Sequence, residues 1–159
     1  MPVLHPNVAS TLSWFGELEI LRHDFTAAEA PLRRAISVYE TLGDATQLRK
    51  AQLQLGLLYA RSGRCKDALP LFAKPDPSGL VDLGEGICKH SVASLERATQ
   101  ARATLLEQPL AEFALAQLLV HADKRRAMAL AEAARDGFAR YAGAVADRAA
   151  VEAWLASIP

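Results

Sequence analysis

The sequence predicts an all-α protein: a right-handed superhelical stack of antiparallel helical hairpins, closed by a C-terminal capping helix. Three observations carry this. Apolar residues recur at helical spacing along most of the 159-residue chain. Short clusters of glycine, proline, serine and aspartate punctuate those runs. A pattern of small and large residues repeats at a shift of forty positions, the mark of stacked supersecondary units.

The first hairpin is expected over about residues 7–42. Pro6 suits a helix entry, because its ring presets φ and its missing N–H has no use in the first turn. Phe15 and Gly16 stand where Leu55 and Gly56 stand in the next hairpin, His23-Asp24 forms the loop, and Ala28 and Leu32 follow on the return helix. Pro31 is expected in the opening turns of the second helix. The second hairpin, about 45–74, is the clearest. Leu55, Gly56 and Tyr59 share one face, Ser62-Gly63 stops the helix, and Ala68 and Phe72 point back from the return arm, where Pro70 lies early. Gly56 and Ala68 fall where the helices cross, since only small side chains permit the ~8–10 Å approach of close packing. At the forty-residue shift Gly16 matches Gly56, Ala28 matches Ala68 and Leu32 matches Phe72, while Glu19 departs from Tyr59.

These words resemble the tetratricopeptide (TPR) repeat over residues 5–73. His5-Pro6-Asn7-Val8-Ala9-Ser10-Thr11-Leu12 and Ala27-Ala28-Glu29-Ala30-Pro31-Leu32 are similar to the long-period repeats of kinesin light chains and many bacterial TPR proteins. The resemblance implies a protein-binding helical solenoid whose ligand lies in a concave groove.

Further on, Lys74-Pro75-Asp76-Pro77-Ser78-Gly79 ends the second hairpin early. A third, about 78–107, follows, with Gly84 and Ile87 in the places of Gly56 and Tyr59. It is compressed by about five residues, so the least regular packing is expected there. A fourth, about 109–142, pairs Glu112–Val120 with Arg126–Tyr141, the latter turning Ala127, Leu130, Ala131, Ala134, Phe138 and Tyr141 inward. The capping helix, about 144–157, sets Val151, Trp154, Leu155 and Ile158 on one side. The stretch 127–155 resembles, in composition and order, the end of TPR tails that follow bacterial serine/threonine kinase domains. Nothing like a cap precedes the first hairpin, which points to self-association through the N-terminal edge.

Composition narrows the function. Lys plus Arg equals Asp plus Glu at 18 each, and no basic stripe with interleaved aromatics occurs, so nucleic acid is not an expected partner. No leader pattern opens the chain and no apolar run spans a bilayer, which gives the expectation of a cytoplasmic protein with no membrane contact. Cys65 and Cys88 read as two semi-buried thiols rather than a disulfide framework or zinc site. Gly84-Glu85-Gly86 lacks the third glycine of a dinucleotide loop, and Glu85 stands where a phosphate loop following Gly79 needs lysine. His5, His23, His90 and His121 are scattered without ligand spacing. Cys88 and His90, two apart, leave a helix on different sides. The chain is therefore expected to be no enzyme, to need no metal or cofactor, and to bind another protein or peptide segment.

The groove-facing candidates pair by register as Ser10 with Lys50, Ser13 with Leu53, Glu17 with Leu57 and Leu21 with Arg61. Glu112, Ala116 and Leu119 continue the wall. The clustered Lys, Arg and Asn of a carboxylate clamp are missing, and so are the groove asparagines of kinesin light chains, whose place Ser13-Trp14 takes. Leu53, Leu57 and Leu119 could equally serve packing. The expected function is a scaffold that holds a partner's peptide or helix. The alternative is a regulatory or docking tail of a bacterial signalling kinase whose catalytic domain lies elsewhere.

Overall fold

The computed structural model describes residues 5–101 and 106–159, and every regular element among them is helical. The N-terminal reading of residues 1–4 and the expected third hairpin across 102–105 lie outside the described residues. Two compact units divide the chain, 1–73 and 74–159.

In the first unit α1 (Pro6–Leu21) and α2 (Phe25–Leu42) form a hairpin, and α3 (Ala45–Arg61) packs on α2. The return arm against α3 is not one α-helix. It begins as α4 (Cys65–Ala68) and tightens into a 3₁₀ turn over Leu69–Phe72. Pro70 lies in that turn, where its missing N–H removes an i→i−4 bond. Pro31 sits well inside the unbroken α2 rather than in its first turn, because α2 already starts at Phe25. Caps fix the helix starts: Asp24 Oδ1 accepts from Ala27 N at 2.9 Å and Asp44 Oδ1 from Gln47 N at 3.0 Å. His5 Nδ1 accepts from Asn7 N at 3.2 Å beside Pro6.

The two crossings share one geometry. A Cβ on Gly16 would stand 2.5 Å from Leu32 Cγ, and a Cβ on Gly56 would stand 2.8 Å from Phe72 Cζ. In each case the blocking side chain is buried and lies sixteen residues further on. The turns match as well, with His23 at φ 61° where Gly63 has φ 78°. An L-residue in this left-handed region is strained. His23 stacks on Phe25 at 5.7 Å between ring centroids, which holds it there. Between the helices Ala9, Ala35, Val38, Tyr39 and Ala51 form a closed apolar cluster.

The second unit runs α5 (Leu80–Lys89), α6 (Val92–Gln100), α7 (Glu107–Leu119), α8 (Lys124–Ala139) and α9 (Val145–Ser157), each packed on the next, with α5 also touching α7. The short α5–α6 pair crosses near its turn. Gly86 makes a close approach, and a Cβ there would meet Leu95 Cγ at 2.6 Å. In the α7–α8 pair the roles are exchanged: Gly137 on the return helix faces the ring of Pro109, whose Cγ would lie 2.8 Å from an added Cβ. Ala127, Ala131, Ala134 and Phe138 are buried, whereas Leu130 and Tyr141 are half-buried. On α9, Val151 is fully buried and Trp154 meets Phe113 of α7 edge-on at 5.8 Å.

Candidate functional site

A small open cleft lies in the first unit between α1 and α3. Ser10, Ser13, Trp14 and Glu17 form one wall, at the i, i+3, i+4, i+7 spacing of a single helix face. Gln47, Lys50, Ala51 and Gln54 form the other at the same spacing, and Tyr39 of α2 lies at the floor. Tyr39 is buried, and its hydroxyl lies 3.4 Å from Ser10 Oγ. Since Ser10 Oγ already donates to Pro6 O at 3.2 Å, Tyr39 is the donor of that pair. Across the cleft, Gln54 Nε2 donates to Glu17 Oε1 and ties the two walls together.

Two buried polar atoms of this cleft, Ser13 Oγ and Gln54 Oε1, have no hydrogen-bond partner among the described residues. An unpaired buried acceptor or hydroxyl costs on the order of 1–3 kcal/mol, so a guest that supplies a donor and an acceptor there recovers that cost. Lys50 is exposed at the rim and Trp14 presents most of its indole to solvent. The chemistry is mixed: a carboxylate, an ammonium, amides, hydroxyls and an aromatic plane.

Of the residues expected along the groove, Ser10, Ser13, Glu17 and Lys50 come together here. Leu21 and Arg61 do not line the cleft. Arg61 stacks over Phe25 at 5.4 Å and pairs with His23 Nε2 at 3.0 Å. Leu53 and Leu57 are buried. In the second unit Ala116 and Leu119 are buried, and Glu112 is half-buried, accepting from Gln108 Nε2 at 2.9 Å. Burial pushes the Glu112 carboxyl above its ordinary range. Gln54, Gln47 and Tyr39 were missed in the sequence. Gln47 and Gln54 stand on the α3 face that continues Lys50, and helical spacing from Lys50 would have found them.

The most strongly perturbed carboxylate lies elsewhere in the unit. Glu29 accepts from Tyr59 Oη at 2.8 Å, Arg64 at 2.6 Å and Arg33 at 2.9 Å. The Tyr59 hydroxyl foremost, then the two guanidiniums, lowers its pKa to about 2. Burial, together with that bond, raises the Tyr59 phenol. Arg64 also lies over the Tyr59 ring at 4.3 Å. This cluster joins α2 to α3 and to the turn that leads into α4.

Among the described residues no group of three or more His, Cys, Asp or Glu side chains is placed to hold a metal, and no helix is long and apolar enough to cross a membrane. Cys65 and Cys88 correct the expectation of two thiols, for neither is free and both are disulfide-bonded. Comparison with protein families, curated proteins and solved structures finds no match for this chain.

Proposed function

We propose that the chain is a TPR-like helical-repeat module that binds a peptide segment of another protein, with the α1–α3 cleft as a principal subsite. The observation that carries this reading is the pair of unsatisfied polar atoms, Ser13 Oγ and Gln54 Oε1, in a cleft bridged by Gln54 and Glu17. The matched glycine crossings at a forty-residue shift support the repeat assignment. A peptide amide supplies both missing partners, its N–H to Gln54 Oε1 and its C=O to the Ser13 hydroxyl. Lys50 at the rim attracts an acidic flank, and Trp14 covers an apolar or planar side chain.

The test is selection of peptides from a displayed library on the immobilised full chain. Selected peptides are expected to bind at least ~10-fold more weakly to Gln54→Ala and to Lys50→Glu, consistent with loss of one buried hydrogen bond or one steering charge. Selection of no peptide, or of peptides indifferent to both changes, overturns the reading. A cytoplasmic setting fits poorly with two disulfide-bonded cysteines, because reducing compartments keep thiols free. Thiol titration of the native protein is expected to find no reactive thiol. Two reactive thiols would restore the cytoplasmic assignment.

A further inference from the structure

The outer face of α1 is apolar and uncovered. Val8, Phe15 and Leu18 are 42%, 56% and 41% exposed, and Thr11 between them is exposed too. Their counterparts forty residues on, at the same places on α3, are Leu48, Ala51, Leu55 and Leu58. The last three are at most 5% exposed, and Leu48 packs against the apolar cluster contributed largely by α2. The α1 face is thus built like one that elsewhere in the unit lies under a neighbouring helix. It lies apart from the cleft, whose α1 residues Ser10, Ser13 and Glu17 point the other way around the helix, with Trp14 on the edge between.

We infer that this face pairs with the same face of a second copy of the chain, α1 against α1 in antiparallel order about a two-fold axis. Three features select that occupant. Val8, Thr11, Phe15 and Leu18 are spaced three, four and three apart, the a/d rhythm of a two-helix seam. That rhythm reads the same in both directions, so an antiparallel partner sets Val8 against Leu18 and Thr11 against Phe15 at both ends at once. Self-complementarity of this kind is what a closed two-fold interface requires. The row carries no charge from Val8 to Leu18, and the nearest exposed cation beyond it, Arg22, is paired with Glu19 at 3.3 Å, so apposing two copies brings no like charges together. Area sets the strength. With Trp14 at 73% exposure on the flank, each face offers roughly 400–500 Å² of side-chain surface, taking ~150–250 Å² for a whole aromatic side chain. Two faces then bury on the order of 800–1,000 Å², the low end for specific association, so the dimer is weak.

Sedimentation velocity of the full chain from ~1 to ~500 μM tests this. The expected result is a monomer–dimer equilibrium that saturates at two copies and weakens at least ~10-fold in Phe15→Glu, with an unchanged circular-dichroism melt because Phe15 is exposed. Mixing Phe15→Glu with Thr11→Lys sets opposite charges across one end of the seam and is expected to restore a heterodimer that neither variant forms alone. A strict monomer at every concentration, a dimer indifferent to Phe15→Glu, growth beyond two copies, or no heterodimer on mixing overturns the inference.

Discussion

Glu29 shows how much a single side chain integrates. One carboxylate receives a phenol and two guanidiniums, from two helices and the turn before a third, and its pKa falls to about 2 from an ordinary 4.5. A depressed carboxyl contributes stability that is fully present above its unfolded pKa and is lost as pH falls from about 4.5 through about 2. The side chain is 24% exposed, so water screens the cluster and the contribution is discounted to about 1–2 kcal/mol. Urea denaturation is expected to find Glu29→Gln less stable by that amount at pH 7, with the gap nearly closed at pH 2. Equal stability at pH 7 would show that the cluster is ornamental. Only part of this was legible in the sequence. Tyr59 stood out as a packing aromatic and Glu29 as part of a helix-opening word, but partners 30 and 35 residues away leave no periodic trace. The same holds for Gln54 and Glu17, whose bridge becomes visible only once α1 and α3 are side by side.

Among elements, the glycine crossings set the spacing of each pair. Gly16→Ala and Gly56→Ala drive a methyl into Leu32 or Phe72, both of which are buried and have little room to yield. Each is expected to cost about 1–3 kcal/mol of overpacking, exceeding the ~1 kcal/mol that alanine gains in helix propensity. Gly43→Ala is the control. At φ 69° with nothing within 4 Å of an added Cβ, it is expected to cost about 1 kcal/mol from backbone strain alone. Chemical denaturation separates the two, and a Gly16→Ala protein more stable than the parent would mean a loose crossing. The crossings at Gly16 and Gly56 were legible because small residues at fixed intervals carry both the contact and the signal. The helix over 145–157 was equally legible, with Val151 and Trp154 on one side. The exchange of α-helix for a 3₁₀ turn at Leu69–Phe72 was not, since a few residues around one proline accommodate either hydrogen-bond pattern.

For the whole molecule, the equal count of acidic and basic side chains and a pI near 6.9 leave little long-range field to drive or oppose association. Pairing through the uncharged α1 face should therefore respond weakly to ionic strength. Its dissociation constant is expected to change by less than ~3-fold between about 50 and 500 mM salt, because no charge pair is there to be screened. A steep salt dependence in the same sedimentation experiment would assign the contact to charged surface instead. The proline- and glycine-rich run 74–79 was legible as the end of a helix. That compactness also divides at residue 74 was not, because it depends on how contacts are distributed over the folded chain.

The exchange of roles at Gly137 and Pro109 has a consequence for how such chains drift apart. If what matters at a crossing is the summed bulk of the two facing residues, then either helix can donate the gap and a compensating pair of changes moves it across. Gly137→Ala alone should lower the melting temperature, and adding Pro109→Ala should recover part of the loss. Lineages following that path would keep the architecture while erasing the glycine by which a motif search would know it.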